Sequence, residues 1–160
     1  MNTSGYVTIV GTGATTITAT KAGDDNYNSI TDSYILTVER PFITTWDFVG
    51  AAGSYSVTIP TRSNWAYDCY IDWGDNSVEH YTRNSGLSTN PSHEYTIGNE
   101  KIIKIYGTFP AIYFGSAGST DIKSIDQWGD VVWEDFYSAF SGCTNLQMKA
   151  TDIPIITNNI

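Results

Sequence analysis

The stretch Tyr67-Asp68-Cys69-Tyr70-Ile71-Asp72-Trp73-Gly74-Asp75-Asn76 constrains this chain more than any other. Tyr67, Cys69, Ile71 and Trp73 fall on one side, and Asp68, Tyr70 and Asp72 on the other. A period of two marks a strand with one face in a core. Gly74-Asp75-Asn76 supplies residues that tolerate a tight turn or a positive φ, and an extended run resumes from Val78 to Thr82. The expectation is a central hairpin whose core-facing side ends on Trp73, with Cys69 inside as a small apolar group.

Around this hairpin the rest of the chain reads as short strands. Residues 6–10, 15–21 and 33–39 read as strands, with clear alternation over 15–20 and 34–38 and with Gly11-Thr12-Gly13 and Ala22-Gly23-Asp24-Asp25-Asn26 at the connections. Arg40-Pro41 is a module boundary, because proline interrupts a ladder and restricts the residue before it. Strands follow at 42–48 and 55–61 around a turn at Gly50-Ala51-Ala52-Gly53, and at 93–96 and 101–107 after a polar loop. Turn-punctuated strands at this spacing suit a small sandwich over 41–108.

From Phe109 the pattern changes. Trp133, Phe136, Tyr137 and Phe140 fall on one helical face, Glu134 and Asp135 suit a helix start, and Gly142 suits a C-cap, so a helix is expected over 133–141. The expected fold class is mainly β, with a short α-containing segment at the C-terminus.

Composition narrows the function classes. With 8 Lys and Arg and a formal charge of −9, the chain lacks the clustered cations that phosphate backbones and anionic membranes require. No run of 18 apolar residues marks a transmembrane helix. Met1-Asn2-Thr3-Ser4-Gly5 has no basic or apolar leader, so an extracellular or cell-surface reading expects a fragment lacking its signal peptide. Cys69 and Cys143 have no paired spacing, and free thiols are the favoured reading.

Trp73-Gly74-Asp75-Asn76 followed by His93-Glu94-Tyr95 resembles the WGDG … H-x-Y signature of PKD-type β-sandwich domains. The run from Gly13 through Tyr27, closed by Tyr34-Ile35-Leu36-Thr37-Val38, resembles the C-terminal half of bacterial Ig-like repeats. Trp128 and the Trp133 to Leu146 segment, with Gly142-Cys143, resemble the opening of BspA-type (mycoplasma-lipoprotein-like) leucine-rich-repeat surface proteins, in which a PKD-like domain also comes first. The resemblance implies a partial Ig-like module over 1–40, a PKD-like sandwich over 41–108 and the start of a leucine-rich-repeat segment over 109–160. Trp73, Gly74, Asp75, His93, Tyr95, Trp128, Gly142 and Cys143 are its structural signature. It also implies that Tyr95 is a tyrosine corner, that Asp75 belongs to a structural turn and that His93 packs beside Tyr95.

Chemistry is sparse. Asp72 and Asp75 flank a turn with no second catalytic cluster, and no nucleophile-elbow Ser/His/Asp arrangement is present. His80, His93 and the cysteines lack zinc spacing. Asp24, Asp25 and Asn26, with Asn28, gather oxygen donors that could hold Ca²⁺, but lack the alternating ligands and terminal Glu of an EF-hand loop, so a solvated turn is favoured and no cofactor is expected. Tyr70, Tyr81 and Trp65 are the candidate partner-binding aromatics, placed opposite the core set or near turns. Three readings follow. The first is a non-enzymatic adhesion or display module whose sandwiches present a repeat region to a protein or glycan partner. The second is a subunit that self-assembles into a homo-oligomer or filament through open strand edges. The third is an accessory carbohydrate-binding module.

Overall fold

A computed structural model describes residues 8–48, 54–96 and 99–157. The protein is mainly β, with twelve strands and no helix among the described residues. The chain divides into two compact units, Met1–Glu39 and Arg40–Ile160.

The first unit is a hairpin of β1 (Gly13–Lys21) and β2 (Ile30–Val38), paired antiparallel from Gly13↔Val38 to Lys21↔Ile30 without a register shift. Thr, Ile and Val supply the β-branched side chains that fit a pleated surface. Of the strand expected over 6–10, residues 6 and 7 lie outside the described residues and 8–10 form no strand. Two strands cannot enclose a core, and Ile30, Tyr34 and Ile35 stand exposed.

The second unit begins with β3 (Phe42–Asp47) and β4 (Tyr55–Thr58). The expected turn at 50–53 lies outside the described residues. The expected hairpin forms as β5 (Tyr67–Asp72) and β6 (Val78–Arg83), followed by β7 (Ser92–Tyr95) and β8 (Glu100–Thr108). Beyond these come β9 (Ile122–Gln127), β10 (Val132–Trp133), β11 (Gln147–Met148) and β12 (Ile155–Ile156). One six-stranded sheet runs β11-β9-β3-β8-β5-β6, and β4 pairs with β7 in a second layer. That layer closes over the sheet through Val57, Ile59 and Tyr95, which are buried in one cluster with Trp46, Phe48, Ile71 and Ile103.

Residues past Phe109 are not a separate body. β9 pairs with β3, and Phe109, Ile112, Ile122, Ile125, Trp128 and Trp133 belong to the same core as the hairpin. The expected helix over 133–141 does not form. Trp133 ends β10, Asp135 Oδ1 accepts the Tyr137 amide at 2.7 Å, and Ser138 takes a φ of 51°. The Asp135 side chain thus competes for a backbone donor and closes a turn. Phe136 and Phe140 do share a side, but they are held by ring contacts to Trp128, while Tyr137 points into solvent.

The C-terminal stretch makes two short parallel pairings at one spacing. Ser124 pairs in parallel with Gln147 and Val132 in parallel with Ile155, a spacing of 23 residues in both. Gly118-Ser119-Thr120-Asp121-Ile122 is matched by Gly142-Cys143-Thr144-Asn145-Leu146. Gly118 and Gly142 meet backbone to backbone at φ of 63° and 73°, so close that a methyl on Gly118 would lie 2.3 Å from the Gly142 oxygen. Asn145 Nδ2 donates to the Thr120 carbonyl at 3.1 Å, and Asp152 accepts the Trp128 and Gly129 amides at 3.0 and 2.9 Å.

Trp133 joins this stack to the sheet, and its removal leaves a large void. Trp133→Ala is expected to lower stability by about 3–5 kcal/mol in urea unfolding followed by circular dichroism. An unchanged midpoint would mean that the stack and the sheet fold independently.

Candidate functional site

The signature residues Trp73, Gly74, Asp75, His93 and Tyr95 meet at the β5–β6 turn. Gly74 takes a φ of 78° and runs against β8, where a methyl would lie 2.5 Å from the Ile102 carbonyl oxygen. Only glycine combines that dihedral with that approach. Asn76 also sits in the left-handed region, and Asp72 Oδ1 accepts the Gly74 amide at 3.0 Å. The buried Trp73 indole stacks on His93 at 5.1 Å and 13°, and Tyr95 meets the same imidazole edge-on at 4.7 Å. The Tyr95 hydroxyl donates to the Trp73 carbonyl at 2.7 Å, tying β7 to the turn.

His93 Nε2 lies 2.8 Å from Asp75 Oδ2, and the Ser77 hydroxyl approaches the same nitrogen at 3.4 Å while donating to Asp75 Oδ1. Serine, histidine and aspartate are therefore together, but not as a relay. A relay needs the carboxylate on one ring nitrogen and the nucleophile on the other. Here both converge on one nitrogen, and the arrangement closes a turn. Burial alone would raise the Asp75 carboxyl, but hydrogen bonds from the Ser77 hydroxyl, His93 and the Ser77 amide, with the His93 charge, outweigh it and bring it down to about 2.

The candidate aromatics separate. Tyr70 is 52% exposed on the outer sheet face, stacked on His80 at 4.4 Å, and in register with Tyr106 on its other side. His80 Nε2 also meets Asp68 Oδ1 at 2.7 Å. Tyr81, by contrast, is buried, because it pairs with Cys69 and shares the core-facing side. Its hydroxyl donates to the Thr89 carbonyl. Trp65 is half-buried and packs against the core.

Trp128 and Gly142 lie in the stack, where Trp128 stacks on Phe42 at 5.6 Å. Cys69 is buried and Cys143 half-buried, and both thiols are free. Burial first, then Asp68 and Glu79, pushes the Cys69 thiol up to about 12. In the loop weighed for Ca²⁺, Asp24 Oδ1 accepts the Asn26 and Tyr27 amides at 3.0 and 2.9 Å, the geometry of a side-chain-capped turn. No group of three or more His, Cys, Asp or Glu among the described residues is placed to hold a metal ion. No helix of the described residues is long and apolar enough to cross a membrane.

Two features escape the sequence reading. One is the internal match of G-x-T-[DN]-[IL] at 118 and 142, 24 residues apart, which lies beside strand pairs spaced by 23. The other is Arg83, 5% exposed, which donates to the Thr61 hydroxyl and to the Arg62, Trp65 and Thr89 carbonyls, with the Tyr67 ring 4.5 Å away. Comparison with family models, with curated proteins and with solved structures finds no match.

The Asp75 geometry has a pH consequence. A carboxyl held below its ordinary value stabilises the fold above that value and loses the contribution as pH falls from about 4 toward about 2. Asp130 carries the same sign, held down by the Arg40 amide, against burial, with help from the Arg40 guanidinium; in Asp152 the Trp128, Gly129 and Asp152 amides outweigh burial. In urea unfolding the wild-type midpoint is expected to drop across that window, and Asp75→Asn to give a flatter profile with about 1–2 kcal/mol less stability at neutral pH. Superimposable pH profiles would remove the role assigned to the Asp75 charge.

Proposed function

We propose that this chain is a non-enzymatic adhesion or display module of an extracellular or cell-surface protein, in which a PKD-like sandwich carries the first coils of a repeat region toward a protein or glycan partner. The observation that supports it most is the 23-residue parallel stack built directly on the edge of the sandwich sheet, with β11 as its outermost strand. A sandwich that continues into stacked coils offers a long surface on a rigid base. The His93–Asp75 pair with Ser77 is spent on a turn, which supports a binding role over a catalytic one. Tyr70, with His80 and Tyr106 beside it, is the aromatic surface through which a glycan partner would be met.

Self-assembly is the second reading. Met148, Ile153, Ile155 and Ile156 are exposed, and among the described residues β1 and β2 pair only with each other.

Beads carrying the protein are expected to adhere to cultured epithelial cells saturably, with soluble protein competing. Adhesion equal to that of beads carrying acid-unfolded protein would overturn the reading. Light scattering across a concentration series separates the alternatives. A mass that stays at 17.6 kDa removes self-assembly, and a mass that climbs with concentration favours it over display.

A further inference from the structure

Beside β4 lies a slot shaped like a missing strand. Ile59 donates its amide to the Pro91 carbonyl at 3.0 Å, and the β4–β7 pairing continues this register through Val57↔His93 and Tyr55↔Tyr95. In an antiparallel pair the backbone groups alternate sides. The amides and carbonyls of Ser56 and Thr58 therefore point away from β7, and no hydrogen bond to a further strand reaches them among the described residues. The next carbonyl on that side, Pro60, is taken by the Tyr113 amide at 3.0 Å, and Thr61 forms an antiparallel bridge with Ile112. After Tyr113 the chain leaves this line, because the Phe114 and Gly115 amides bond instead to the Ala139 and Ser138 carbonyls.

The space vacated is a groove of about 250 Å³. Its floor is Trp46 and Phe114, with ring centroids 6.1 Å apart, and its far wall is Ala117 to Ser119. Asp121 closes the Tyr55 end. Its carboxylate accepts the Tyr55 hydroxyl and meets no cation among the described residues, since the nearby Lys123 pairs with Asp47.

We propose that this slot binds an extended peptide of a partner protein by antiparallel strand addition to β4, with an apolar residue over Trp46 and Phe114 and a Lys or Arg two residues later against Asp121. Ligand residues opposite Ser56 and Thr58 complete the backbone bonds and face their side chains outward. Those opposite Val57 and Tyr55 face the floor and the carboxylate. Main-chain bonding supplies affinity, and the apolar–basic pair supplies selectivity. The inference goes beyond the adhesion reading by naming a site and a class of ligand.

The probe is the capped pentapeptide Thr-Val-Thr-Lys-Thr, titrated into isotope-labelled protein. Binding with a Kd of roughly 0.1–1 mM is expected, with the Ser56 and Thr58 amide signals moving most. Methylating the peptide nitrogens of the first and third Thr removes the two donors and should weaken binding at least ~10-fold. Asp121→Asn should weaken the Lys peptide about 5-fold but leave a norleucine-substituted peptide unchanged. Ser56→Pro should abolish binding without touching the β7 bonds.

Equal affinity for the methylated peptide, or no binding to the folded wild type at several times about 1 mM, overturns the proposal. Shifts of the Ser56 and Thr58 amides with protein concentration alone would also overturn it, by making a second copy the occupant. Bead adhesion that survives Ser56→Pro leaves the adhesion reading intact whichever way the peptide result falls.

Discussion

The Trp133 indole holds the second unit together. It is fully buried, edge-on to Phe42 at 4.9 Å, edge-on to Phe109 and Trp128 at 6.0 and 5.5 Å, and stacked on Phe136 at 5.2 Å. Those partners come from the first strand of the unit, the exit of β8, the exit of β9 and the turn before the second coil. Aromatic rings contribute large apolar areas and prefer such offset and edge-on geometries, so one side chain fixes four chain segments in distance and angle. The start of the unit is tied down in the same place. The Arg40 amide and guanidinium both bond to Asp130, and the Asp130 amide returns to the Arg40 carbonyl at 2.9 Å. The exposed ion pair adds little on its own, and the backbone bonds set the register of β3.

What the sequence discloses is what is local. The β5–β6 hairpin is legible because its period of two and its turn residues lie within a few positions of one another. Tyr81, expected near a turn as a partner-binding aromatic, is instead buried. Pairing of Tyr67 with Arg83 and Cys69 with Tyr81 puts Tyr81 and Arg83 in the core, while Val78 is exposed. The strand β9 is hidden for a different reason. Its pairing with β3 shifts register twice, which breaks the alternation, and its partner lies some eighty residues earlier in the chain. The expected helix failed on the same kind of nonlocal fact. Trp133, Phe136 and Phe140 have helical spacing, yet Trp133 is already committed to a parallel bridge with Ile156. Of the site, the Trp73–His93–Tyr95 cluster is carried by motif, while the shared nitrogen on His93 and the open side of β4 need coordinates.

Arg83 illustrates why a charged residue on a strand is a poor guide to its environment. A buried guanidinium is costly unless its donors are satisfied, and here three carbonyls and a hydroxyl supply oxygen without a carboxylate. Its Nε has no partner. The arrangement draws the 61–65 loop and the Thr89 segment onto the end of the β5–β6 hairpin, and the Tyr67 hydroxyl reinforces it by accepting the Arg62 amide and donating to the Ala111 carbonyl. That end of the sandwich is thereby closed by polar bonds, as the other end is closed by the Trp73 turn.

Among the described residues of the second unit, the strand edges are not equivalent. β6 carries Glu79, His80 and Thr82, the polar character that discourages pairing with another chain. β11 offers only two residues in the sheet, but together with β12 it bounds an apolar surface of Met148, Ile153, Ile155 and Ile156, so pairing there also removes apolar area from water. The open side of β4 is different again, since it borders a groove lined by Trp46, Phe114 and Asp121. A flat sheet edge could add strands indefinitely, whereas a recessed one admits a single extended segment and then is full. Met148, Ile153, Ile155 and Ile156 thus present apolar area, whereas the groove beside β4 presents backbone groups and a carboxylate.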